Sequence, residues 1–90
     1  MDVVFIPSLL RSLTGGLAQV ELPAGSVREL VEGLERRFPG IQERLCEDGR
    51  LRPTLSVAVD GLVSPRRLNQ KLEPDSEVHF LPVISGGMSL

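Results

Sequence analysis

Few residues in this chain have the type and spacing for side-chain chemistry. There is one cysteine, Cys46, and one histidine in 90 residues. A single thiol can neither close an internal disulfide nor hold zinc or an iron–sulfur cluster unaided. Cys46 follows Leu45 in an amphipathic stretch and reads as a buried, inert thiol. The histidine, His79, alternates with Val78 and Phe80 and so reads as a solvent-facing strand residue. Ser8, Ser12, Ser26, Ser56 and Ser64 have no evident base partner. Asp48, Asp60 and Asp75 sit where turns are expected and read as turn residues. Neither Gly15-Gly16 nor Gly86-Gly87 has the spacing or the lysine of a phosphate-binding loop. What remains is the Gly86-Gly87 pair near the C-terminus. One reading makes it a linker or a disordered end. The other makes it a substrate: an extended backbone without side chains can thread another enzyme's narrow channel, and a glycine carboxylate there can be activated as an acyl-adenylate and converted by a sulfur nucleophile to a thiocarboxylate.

The elements that must carry such a tail are legible. Val3 to Ile6 is a β-branched apolar run ended by Pro7 and reads as a strand buried on both faces. Leu9 to Thr14 is a connection without a clear pattern, and Gly15-Gly16 marks a turn. Leu17 to Leu22 alternates, with Ala18, Val20 and Leu22 on one face. Ser26 and Glu29 form a capping-box pattern, and Val27, Leu30, Val31, Leu34 and Phe38 follow at helical spacing until Pro39-Gly40. Ile41 to Leu45 adds a possible helical turn, and Glu47 to Arg50 is a polar loop. Leu55, Val57 and Val59 alternate in a third strand, and Asp60-Gly61 turns it into a short return at Leu62-Val63. Ser64 to Pro74 is irregular, with Leu68 and Leu72 pinning it to the core. Ser76 to Leu81 is the last strand, with Val78 and Phe80 inward. Residues 1–82 therefore form one domain and residues 83–90 a flexible tail. One helix over one face of a mixed sheet of four to five strands makes an α+β two-layer domain.

Composition sets bounds on function. The chain has three Phe and neither Trp nor Tyr, so its core is aliphatic. Its net charge is −2, and the two arginine pairs, Arg36-Arg37 and Arg66-Arg67, read as solvated surface rather than a nucleic-acid stripe. The N-terminus lacks a signal-peptide pattern and no segment approaches a membrane span. With one thiol and no leader, a reducing cytosol is the expected compartment.

The stretch Glu77-Val78-His79-Phe80-Leu81-Pro82-Val83-Ile84-Ser85-Gly86-Gly87 resembles the end of the ThiS/MoaD family of ubiquitin-like sulfur carriers. The resemblance extends over the opening strand, the Ser26–Phe38 helix, the Leu55–Val59 strand with Asp60-Gly61, and Leu72-Glu73-Pro74-Asp75-Ser76-Glu77. It implies a β-grasp fold with the first and last strands parallel at the sheet's centre. It also implies a carrier that is a co-substrate rather than an enzyme. The chain would bind no cofactor itself. ATP and a sulfur donor would be used by its partners: a ubiquitin-activating-type enzyme would adenylate Gly87, and a synthase would accept the sulfur. Ser85 and Gly86 would be read in the activating channel. The chain departs from the family pattern by continuing as Met88-Ser89-Leu90. Some similar carriers are precursors cut by a zinc-dependent JAMM-type protease, which implies cleavage between Gly87 and Met88. The competing readings are that these three residues are foreign to the native chain, or that carrier function has been lost.

A carrier this small also needs a recognition patch. Leu81, Val83 and Leu62 are the apolar candidates, with sheet-edge packing as the competing reading for Leu62. Three other functions stay open on the sequence: a ubiquitin-like modifier conjugated through Gly87, a stable subunit such as the small subunit of molybdopterin synthase, and a β-grasp binding module with an idle tail.

Overall fold

In a computed structural model the structure describes residues 1–83. The expectations placed on Ile84 to Leu90 lie outside the described residues: the flexible tail, the Ser85-Gly86-Gly87 recognition and the Gly87–Met88 cleavage point.

The elements run β1 (Asp2–Phe5), a 3₁₀ segment (Ser8–Thr14), β2 (Gln19–Leu22), α1 (Val27–Arg37), α2 (Ile41–Leu45), β3 (Cys46–Glu47), β4 (Arg50–Leu51), β5 (Leu55–Val59), β6 (Leu62–Val63), a second 3₁₀ turn (Arg67–Asn69) and β7 (Glu77–Pro82). Five strands form one mixed sheet in the order β2-β1-β7-β5-β6, and β3 and β4 pair separately. β1 and β7 are parallel and central. This is the β-grasp arrangement, with α1 laid across one face.

α1 forms where the sequence places its cap. The Ser26 hydroxyl accepts from the Glu29 N–H at 3.2 Å. The Glu29 carboxylate reaches back to the Gly25 N–H at 2.8 Å, one residue earlier than a simple capping box requires. Gly25 admits it: a Cβ there would stand 3.1 Å from the carboxylate oxygen. The helix buries Val27, Leu30, Val31 and Leu34. It comes close enough to β2 that a Cβ on Gly33 would meet the Leu22 side chain at 2.7 Å.

Register sorts the sheet into two kinds of row. Val20, Val4, Val78, Val59 and Leu62 are successive partners across all five strands, and Val4 and Val78 are fully buried beneath the helix. The neighbouring row is Gln19, Phe5, His79, Ala58 and Val63, on the opposite, uncovered face.

Three expectations are corrected. β1 is not buried on both faces: Val4 is buried, whereas Val3 and Phe5 are only half-buried because no second layer covers the open face. Ala18 is exposed and lies outside β2, unlike Val20 and Leu22. Glu47 to Arg50 is not a plain loop: Cys46 pairs with Leu51 and Glu47 with Arg50, and Asp48-Gly49 turns the hairpin with both φ positive. The connection after Pro7 is helical of the 3₁₀ kind.

Candidate functional site

The part of the molecule able to serve a reactive C-terminus is the root of the tail together with the surface around it. β7 carries the chain out. It pairs with β1 from Glu77 to His79 and with β5 from Val78 to Pro82. Pro82 lies past the last β1 pair, where a residue without an N–H is tolerated. The Val83 N–H donates to the Thr54 carbonyl at 2.8 Å, so the ladder holds the backbone as far as Val83. Gly87 is four residues further along the sequence.

Beside this exit is an apolar groove of about 360 Å³, lined chiefly by Pro7, Leu9, Leu45, Leu55, Phe80 and Pro82. Leu9 stands 90% exposed at its rim. The pattern of the 9–14 connection did not single it out, because the 3₁₀ turn that presents it has no clean hydrophobic period.

The open face carries the recognition candidates. Leu81 is 38% exposed and Val83, one strand period further, 42%. Leu62, on the edge strand, is 75% exposed. Register nevertheless separates it from the other two. Leu62 is the partner of Val59 in the helix-side row, whereas Leu81 pairs with Ser56 on the open face. Val63, 62% exposed, is the residue of that hairpin that shares Leu81's side. Ala58 between them is buried by its neighbours. His79 joins this surface: its ring stacks on Phe5 with centroids 4.1 Å apart and planes within 6°. The signal that could have found Val63 and Phe5 is register, which a one-dimensional pattern does not contain.

The remaining candidates fall where the sequence put them. Asp48, Asp60 and Asp75 each adopt a positive φ, which aspartate tolerates in tight turns. Asp60 also accepts from the Glu77 N–H at 2.9 Å, fastening its hairpin to β7. Cys46 is buried, and burial pushes its thiol up from the usual range, with Arg28 and Arg52 opposing. Buried Ser64 bonds Gln70. Among the described residues no group of three or more His, Cys, Asp or Glu is placed to hold a metal, and no helix is long and apolar enough to cross a membrane.

One structural carboxylate escaped the sequence reading. Asp2 is buried, and its two oxygens accept from the Ser76 N–H at 2.9 Å and the Ala24 N–H at 3.2 Å. It ties the strand that opens the chain to the turn that launches β7.

Comparison with known proteins agrees with this architecture. A chain in the crystal structure of the Amycolatopsis orientalis BexX/CysO complex superposes with a TM-score of 0.86 at 30% identity, covering 97% of this chain and all of that one. Mycobacterium tuberculosis CysO superposes with the same TM-score, 0.86, at 26% identity over 93% of this chain and all of that one. SAMP1 from Haloferax volcanii shares the fold, with a TM-score of 0.71 at 20% identity over 96% of this chain and 98% of that one. A search of curated protein sequences returns no match. The ThiS family model matches residues 4–87, from within the opening strand through the helix and β7 to both tail glycines, and the chain therefore belongs to the ThiS family.

Proposed function

We propose that this protein is a sulfur carrier whose working group is the carboxylate of Gly87. Hydrolysis of the Gly87–Met88 peptide bond by a JAMM-type zinc protease consumes one water and releases Met-Ser-Leu. The new carboxylate attacks the α-phosphate of ATP in a ubiquitin-activating-type enzyme, giving the acyl-adenylate and pyrophosphate. The terminal sulfur of a donor persulfide displaces AMP to give an acyl disulfide. A thiol reductant then cleaves its S–S bond, leaving the thiocarboxylate on Gly87 and a disulfide between the reductant and the donor. That sulfur is then given up to the acceptor of a biosynthetic synthase. The carrier contributes no catalytic side chain. It presents the tail and a surface by which each partner captures it.

The observation that carries this reading is the match of the ThiS family model through residue 87, on a β-grasp domain whose central strand ends at Pro82, shortly before the glycine pair in the sequence. The mechanical fit supports it. With the backbone held at Val83 by Thr54, four further residues give a reach of at most about 14 Å to Gly87. An enzyme that seats Gly87 in an adenylation channel must therefore rest close against the domain around β7. Leu81, Val83 and Val63 offer apolar surface there on the open face, with the Phe5–His79 stack beside them, and Leu9 does so at the rim of the exit groove.

Intact mass of the protein isolated from its own cells is the direct test. The expected species lacks Met-Ser-Leu and has one oxygen replaced by sulfur. Full-length protein alone, even from sulfur-starved cells, would overturn the carrier reading.

A further inference from the structure

The arginine pair Arg66-Arg67 has a setting that its sequence context did not disclose. Arg66 and Arg67 lie at the second 3₁₀ turn, Arg28 in the first turn of α1 and Arg50 on β4, and all four line one hollow of about 170 Å³ with Leu51, Leu68 and Asn69. Four of the chain's ten cations thus meet at one place on a protein of net charge −2. No carboxylate lines this hollow. The adjoining one carries Glu47 and Asp48, and Glu47 is already paired with Arg52 at 2.9 Å.

Two of the guanidiniums are held by neutral acceptors. Arg28 donates to the Gly49 carbonyl and the Asn69 amide oxygen, each at 3.2 Å. Arg67 donates to the carbonyls of Leu51 at 3.2 Å and Arg52 at 2.8 Å. Such bonds fix position and leave the positive charge uncompensated. Among the described residues, Arg50 and Arg66 make no side-chain hydrogen bond and no ion pair. Convergent guanidiniums repel one another unless an anion sits between them, and their planar N–H forks match phosphate oxygens. One carboxylate occupies a single fork. Four arginines from three elements, two with free side chains and two partly engaged by neutral acceptors, suit a group with three or four oxygens and two charges, and the hollow has room for one such group.

We infer that Arg28, Arg50, Arg66 and Arg67 form a binding site for a phosphate dianion, free or as a monoester. The site shares no residue with the tail-root groove or with the open-face row, so it can be filled while a partner holds the tail. It does not depend on the carrier reading.

The test is a nuclear magnetic resonance titration of the labelled full chain with inorganic phosphate, against chloride at matched ionic strength. Saturable shifts are expected at the four arginine Nε–H groups and at Asn69. The double variant Arg50→Gln/Arg66→Gln, which removes no hydrogen bond of the fold, should weaken binding about tenfold or more. Lys71→Gln, an exposed cation outside the hollow, should leave it unchanged. Glycerol phosphate distinguishes the sources: saturation at or below the concentration needed for inorganic phosphate identifies a monoester site, and weaker saturation identifies the free ion. Shifts equal to those with chloride, or unaffected by the double variant, would overturn the site. Saturation by an acidic peptide at lower concentration than by phosphate would also overturn it, in favour of a protein surface.

Discussion

Asp2 and Glu35 show how single side chains fix the frame from which the tail leaves. From a buried position Asp2 accepts from two backbone donors, on Ala24 and Ser76, the Ser76 N–H also reaching the Glu73 carbonyl at 3.2 Å. Asp2→Ala strips the Ala24 N–H of its partner and leaves the Ser76 N–H only the longer bond to Glu73, and should cost about 1–3 kcal/mol, the cost of one stranded donor, measured as a shift in urea midpoint. Glu35 does similar work at the start of α2, accepting from Gln42 at 2.9 Å and from Gly40 at 3.1 Å. These bonds, the Gln42 one foremost, hold its carboxyl below the ordinary 4.5. The unfolded chain therefore takes up the proton first as pH falls. The stabilisation is complete above the ordinary value and drains away as pH drops through the lower, folded one. The stability gap between native protein and Glu35→Gln should be present at neutral pH and close in the acid range. A gap independent of pH would assign the role of Glu35 to shape alone. Cys46, buried and with its thiol pushed up, should react with a thiol reagent only as fast as the protein opens. None of this is visible in sequence, because Asp2 and Glu35 look like ordinary surface acids until the fold brings backbone donors to them.

At the scale of elements, periodicity identified the long elements, and turn signals found the short return at Leu62-Val63 and the turn at Ile41 to Leu45, but other short elements were missed. The α1 helix and β5 show several turns of their pattern, whereas β3, β4 and the 3₁₀ segments are too brief to show any. The misreading of β1 has a different cause. Val3 and Phe5 are apolar although they face outward, so the strand looked buried on both sides. The row that holds Phe5 continues across the open face through His79 and Ala58 to Val63, and a contiguous apolar patch of that kind is what a docking partner would use. Register turns that into a discriminating prediction. Val63→Asp and Leu81→Ser should each weaken capture by the activating enzyme about tenfold or more while the folded spectrum persists. Leu62→Asp, one residue away but in the helix-side row, should have a much smaller effect. Equal losses at positions 62 and 63 would mean that the partner grips the β5–β6 hairpin end-on rather than the open face.

At the scale of the whole molecule, a continuous core carries the strand from which the proposed working group is reached. That core is aliphatic and continuous from α1 through β1, β7 and β5, and Phe80 is the aromatic residue fully within it. The parallel pairing of β1 and β7 puts the last strand at the centre, so the backbone that enters the tail is anchored from both sides along its first half. A pull on the C-terminus therefore loads the middle of the sheet rather than a fraying edge. That arrangement suits a chain whose end is handled by successive enzymes, and it sets the condition for activation. Adenylation needs a free carboxylate, and with Met88-Ser89-Leu90 attached the carbonyl of Gly87 is an amide. The chain ended at Gly87 should support pyrophosphate exchange with its activating-type enzyme, whereas the 90-residue chain should give only background. Both should bind that enzyme through the open face with similar affinity, because capture and chemistry use different parts of the molecule. Exchange by the uncut chain would show that Leu90 supplies the carboxylate, and the glycine pair would then be a spacer. Loss of binding as well as exchange in the uncut chain would instead make the extension a steric block on docking.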